Sequence, residues 1–62
     1  MEFRDSQSAF NDAIASGRLN TDQTSEMYAG KWMYMHSEKG RDFFKNIDTR
    51  KYIASYTNGI KA

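Results

Sequence analysis

Tyr28-Ala29-Gly30-Lys31-Trp32-Met33-Tyr34-Met35-His36-Ser37-Glu38-Lys39-Gly40-Arg41-Asp42-Phe43-Phe44-Lys45-Asn46-Ile47 decides how this 62-residue chain folds. The stretch holds the only Trp and the only His, with two apolar-aromatic runs on either side of Ser37-Glu38-Lys39-Gly40. Two β-prone runs around a short Gly-containing segment predict an antiparallel hairpin. With Glu38-Lys39-Gly40 as a three-residue loop and Gly40 left-handed, Ser37 faces Arg41, Met35 faces Phe43, Tyr34 faces Phe44 and Met33 faces Lys45. One face then carries Met33, Met35, Phe43 and Ile47. The other carries Trp32, Tyr34, Phe44, His36 and Asp42. A one-residue change in the loop swaps the faces of one strand, so the pairing depends on the turn.

Upstream, Ala9, Phe10, Ala13 and Ile14 make one apolar stripe at helical spacing, predicting a helix over Ser6–Ser16. Asp5 or Ser6 supplies the N-cap, and Gly17 stands where a left-handed residue ends a helix. Leu19 is placed to close over the stripe. A helix this short needs tertiary packing, and the Met33/Met35/Phe43 face is the expected lid, with Met33 and Met35 as core fillers. Asn20–Ser25 reads as a loop of turn-forming side chains, with a helical turn over Ser25–Tyr28. Downstream, Arg50–Thr57 fits a short helix capped by Asp48 or Thr49 or, alternatively, a third strand; we read it as helix. Asn58-Gly59 signals a turn, and Ile60-Lys61-Ala62 a frayed tail.

The expected fold is therefore α+β, in one domain over residues 1–62. An N-terminal helix packs on a two-stranded hairpin, and a short C-terminal element follows. The alternative is three short helices, since Tyr28, Trp32 and Met35 also share helical spacing.

Composition excludes several classes. A chain this short buries only about 60% of the surface its unfolded form exposes. Without Cys it has no disulfides and no thiolate metal site. A lone His36 makes no zinc site, and no cofactor is expected. If His36 faces Asp42, a cross-strand polar pair explains both better than a catalytic base does. No Gly-x-Ser-x-Gly elbow, phosphate loop or dinucleotide fingerprint occurs, so the chain is read as non-enzymatic. No apolar run approaches the ~20 residues that span a membrane, and Met1-Glu2-Phe3-Arg4-Asp5 does not begin a signal peptide.

Charge is asymmetric. Residues 1–30 hold two cations against five carboxylates, a net of −3; residues 31–62 hold seven against three, a net of +4. The basic half is also the aromatic half. The candidate binding residues are Trp32, Tyr34, Phe44, Arg41, Lys45, Arg50 and Lys51. Trp32, Tyr34 and Phe44 read either as core, since a small domain must bury its large aromatics, or as partner contacts. In the second reading Trp32 and Tyr34 act as anchors and the basic residues as rim charges, because Trp, Tyr and Arg are enriched at interface hot spots. The same set offers stacking platforms for single-stranded nucleic acid, although a net charge of +1 is modest for that use.

Tyr28–Met35, Gly40, Asp42–Ile53 and Ala9–Leu19 together resemble small proteins of tailed bacteriophages, particularly marine phages of cyanobacteria. At the turn, His36 stands where those proteins lead one to expect Gly or Thr. The resemblance implies a viral origin and expression in the cytoplasm of a bacterial host, and it carries no functional residue with it. Small phage proteins commonly act by binding host components. The leading expectation is thus a protein that binds and modulates a host protein through its aromatic-basic face. The alternatives are a nucleic-acid accessory protein using that face, or a homo-oligomer or minor virion component.

Overall fold

A computed structural model describes residues 2–21 and 23–57; the turn expected at Asn58-Gly59 and the tail after it lie outside these. One helix, α1 (Ser6–Ala15), is followed by β1 (Tyr28–Ala29), β2 (Trp32–Glu38), β3 (Arg41–Asn46) and β4 (Tyr52–Tyr56). The strands form one antiparallel sheet in the order β1-β2-β3-β4. The class is α+β as expected, with four strands rather than two, and the three-helix alternative does not hold.

The helix forms as its sequence dictates. The Asp5 carboxylate accepts the Ser8 backbone N–H at 3.1 Å, satisfying a free donor of the first turn. At the other end Gly17 has φ +82°. The N–H of Gly17 reaches the Ile14 carbonyl at 3.1 Å and that of Arg18 reaches Ala13 at 2.9 Å, a Schellman closure. Ala9, Phe10 and Ala13 are buried, and Leu19 closes beside them.

The hairpin differs from expectation in an instructive way. Its loop has two residues, Lys39 (φ +52°) and Gly40 (φ +76°), the double left-handed conformation that matches strand twist. The residue gained by the strands reappears as an irregularity at Met35, between Tyr34 and His36. The two one-residue changes cancel beyond the bulge. Tyr34↔Phe44 and Met33↔Lys45 pair as expected, whereas nearer the turn Ser37 faces Asp42 and His36 faces Phe43. His36 therefore does not face Asp42.

The face toward the helix is also the opposite of the expected one. Phe10 stacks on Phe44 at 5.5 Å, Tyr34 tilts against Phe44 at 5.9 Å, and Trp32, Ile14 and Ile53 pack around them. Lys45 shares a face with Met33 and Phe43, and burying that face would strand an ammonium group in the core. The Trp32/Tyr34/Phe44 face carries no such charge. Met33 and Met35 are consequently only half-buried, and Ile47 and Phe3 are exposed.

Arg50–Thr57 is strand, not helix. The Asn46 side chain accepts the N–H groups of Asp48 (2.8 Å) and Thr49 (3.0 Å), and Arg50 is left-handed at φ +61°. This turn sends the chain back along β3, whose outer edge would otherwise lie unpaired at the centre of the domain. Likewise Ser25–Tyr28 is not helical. Gly30 (φ +58°) turns the chain between β1 and β2, and the Ser25 N–H bonds the Tyr28 carbonyl at 2.7 Å. Among the described residues no helix is long and apolar enough to cross a membrane.

Candidate functional site: an open aromatic sheet face

The single described helix covers one side of the sheet. Trp32, Tyr34, Ser37, Asp42, Phe44, Ile53 and Ser55 point toward it, as the buried set and the register require. Their neighbours in sequence point the other way. Two cross-strand rows run over that opposite face. Tyr28, Met33, Lys45 and Tyr52 form one, and His36, Phe43 and Ala54 form the next.

The side chains on this face organise one another. His36 stacks on Phe43 with ring centroids 4.8 Å apart. Lys45 Nζ lies 5.8 Å from the centroid of the Tyr52 ring, within reach of a cation–π attraction. Tyr28 and Tyr52 are 41% and 52% exposed at the two ends of their row, too much for side chains that only fill a core. Arg41 pairs with Tyr56 at the hairpin end of the face. The surface is thus ringed by Tyr and cations around a partly sheltered Phe–His–Met centre.

The residues singled out from the sequence divide between the two sides. Tyr34 (9% exposed) and Phe44 (0%) are core and offer nothing to a partner; Trp32 is half-buried against them. The correction has a simple cause: the helix needs the largest aromatics beneath it. Arg41 and Lys45 stand on the open face. Arg50 and Lys51 are exposed on the β3–β4 turn. Sequence reasoning missed Tyr28, His36, Phe43, Tyr52 and Tyr56. The alternation of Tyr52, Ala54 and Tyr56 was the available signal for a strand with an aromatic face.

Beneath the helix lies a polar chain that the sequence did not announce. Asp42 is fully buried and its carboxylate can only accept. Arg4 Nη1 donates to Oδ2, the Ser37 hydroxyl to Oδ1 at 2.5 Å, and the Thr57 hydroxyl to Oδ1 at 3.5 Å. Since Ser37 donates to Asp42, it accepts from the Tyr34 hydroxyl at 2.6 Å, and Tyr34 accepts the Arg4 backbone N–H at 2.8 Å. Arg4 Nη2 also pairs with Asp12 on the helix at 2.7 Å. Burial pulls the guanidinium pKa down, but the bond to Asp12 and the charges of Asp42 and Asp12 outweigh it, leaving it above its ordinary value. Ser37 is 3% exposed, so this chain joins the N-terminal segment, helix and sheet rather than meeting a substrate.

Comparison with known proteins finds no family model, no curated protein and no solved structure that matches this chain.

Proposed function

We propose that this chain is a non-enzymatic binding protein of viral origin, acting in the cytoplasm of a bacterial host by docking on a host protein through its open sheet face. The observation that carries the reading is the pair of rows Tyr28–Met33–Lys45–Tyr52 and His36–Phe43–Ala54 on the side of the sheet away from the helix. Tyr, Phe, Met and Arg are the residue types enriched at interfaces between proteins. A rigid sheet presents them with little ordering left to lose on binding. The phage-like sequence pattern supplies the setting.

The test is affinity capture from host lysate, with and without nuclease, using the protein and two face variants. Tyr52→Ala and Phe43→Ala each remove an anchor from the open face without touching the core. Each should weaken capture about 30-fold, the effect of losing a hot spot of about 2 kcal/mol. Both variants should retain the circular dichroism of the parent. Capture that nuclease abolishes, with an affinity falling steeply in salt, would replace this reading with nucleic-acid binding. Unchanged capture by both variants would remove the open face from consideration.

A further inference from the structure

The two edges of the sheet are treated differently. Along β2, the outer edge is closed at both ends: β1 pairs at Met33, and Glu2 exchanges two backbone bonds of 2.7 Å with Ser37. β1 is itself covered, with Ser25 N–H bonded to Tyr28 O and Gly30 N–H to Gln23 O at 3.0 Å. No strand lies beyond β4 among the described residues.

The free groups on β4 can be identified. Asn46 N–H bonds Lys51 O, and Thr57 N–H bonds Gly40 O, both at 2.9 Å. Antiparallel bonding alternates, so residues 51, 53, 55 and 57 spend their backbone groups on β3. Tyr52, Ala54 and Tyr56 therefore point their N–H and C=O groups outward. Tyr52-Ile53-Ala54-Ser55-Tyr56 has no Pro, charge or bulge of the kind that normally blunts an edge.

Cations bracket this edge. Arg18 and Arg41 line a hollow of about 70 Å³ with Ala54, Ser55 and Tyr56 at one end. Arg50 and Lys51 are exposed at the other, where Lys45 also lies over Tyr52. Asp48 pairs with Lys31 at 2.7 Å and Asp42 is buried with Arg4. Glu38 faces Arg41 from β2, two strands in from the edge, so among the described residues Arg18 is the cation of that end with no carboxylate opposite it in the sheet. A second copy pairing antiparallel through this edge would set Arg50 and Lys51 against Arg18 and Arg41, a repulsive arrangement.

We propose that the outer edge of β4 is a docking strand for an extended acidic segment of a partner protein. The segment adds as a further strand, bonds the backbone of Tyr52, Ala54 and Tyr56, and places carboxylates near Arg18 and Arg41 at one end and Lys51 at the other. At about 3.4 Å per residue, five residues cover the free edge, with acidic residues at and beyond both ends. The inference rests on reading the chain as a protein-binding module, but it concerns the edge rather than the face.

The probe is a capped, fluorescein-labelled peptide, Glu-Glu-Val-Thr-Val-Glu-Glu, titrated into the unaltered protein. Two control peptides carry N-methyl groups on alternate backbone nitrogens, or Lys in place of Glu. Binding should slow amide hydrogen exchange at Tyr52, Ala54 and Tyr56. N-methylation in the register that meets the edge should weaken binding about tenfold or more, and the Lys peptide should bind at least as poorly. The proposal is overturned if no parent peptide binds at millimolar concentration, if an N-methylated or Lys peptide binds equally well, or if the three amides are unaffected. Protection of the same amides without peptide, growing with protein concentration, would assign the edge to a second copy instead. Phe43→Ala leaves the edge intact, so its peptide binding should persist even where host-protein capture is lost.

Discussion

Replacing Arg4 by Met should come close to unfolding the protein. The substitution keeps a long apolar stem and removes the guanidinium that neutralises Asp42. The Asp42 carboxylate is 0% exposed, and the described groups left to bond it are the hydroxyls of Ser37 and Thr57. Removing one partner of a buried ion pair costs about 3–5 kcal/mol, because the remaining charge is uncompensated. Arg4 is 22% exposed at its side chain, which moderates its own desolvation but does nothing for Asp42. At roughly 0.05–0.15 kcal/mol per residue, a chain of this length holds only about 3–9 kcal/mol in total. The loss is therefore comparable to the whole.

Urea unfolding followed by Trp32 fluorescence reads this directly, since Trp32 packs against the core. The parent should give one cooperative transition, and Arg4→Met a midpoint lowered by several molar or no transition at all. The double variant Arg4→Met/Asp42→Asn separates charge from contact. An amide still accepts from Ser37 at its oxygen and carries no charge, so most of the stability should return. The reasoning is refuted if Arg4→Met costs under about 1 kcal/mol, the range of an exposed pair. It is also refuted if the double variant is no more stable than the single one.

Three further outcomes follow from other parts of the fold. Phe44→Ala should cost about 3–5 kcal/mol, whereas its neighbour Phe43→Ala should shift the urea midpoint far less, because one ring is buried against Phe10 and the other stands on the open face. Lys39→Asn should raise the midpoint by an amount worth up to about 1 kcal/mol, since Asn tolerates the left-handed conformation that Lys39 adopts at φ +52°. Lys31 titrates above the ordinary lysine value because of its hydrogen bond to Asp48 and that carboxylate's charge. Its stabilisation is therefore present below the ordinary pKa and lost as pH rises through the raised one. In Asp48→Asn the Lys31 titration, followed by NMR at its side-chain carbon, should fall back toward the ordinary value.

Local signals in the sequence were reliable where one residue type had one physical use. Asp5 and Gly17 bounded the helix, and its stripe of Ala9, Phe10 and Ala13 is the buried one. Arg50–Thr57 was ambiguous because Tyr52, Ile53 and Tyr56 satisfy a helical spacing while the segment's β-branched and aromatic content suits a strand equally well. The decision belonged to tertiary structure, in the unpaired edge of β3 and the turn that Asn46 holds. The Arg4–Asp42 pair was illegible for a different reason: its partners lie 38 positions apart, and nothing local marks Asp42 as buried.

The sides taken by His36 and Ser37 turned on a single residue, and the centre of the candidate site follows from it. Had the hairpin kept a three-residue loop without a bulge, His36 would have joined Asp42 on the face of Trp32, Tyr34 and Phe44, and Ser37 would have pointed away from it. The bulge at Met35 instead lets Tyr34 and Ser37 both turn inward, where the Tyr34 hydroxyl bonds Ser37 and Ser37 bonds Asp42. The same shift sends His36 outward onto Phe43. One local irregularity thus supplies both the donor that satisfies a buried carboxylate and the stacked pair at the centre of the open face. Core and surface are not independent designs here: the polar chain that holds the N-terminal segment fixes β2 in the register that the aromatic face requires.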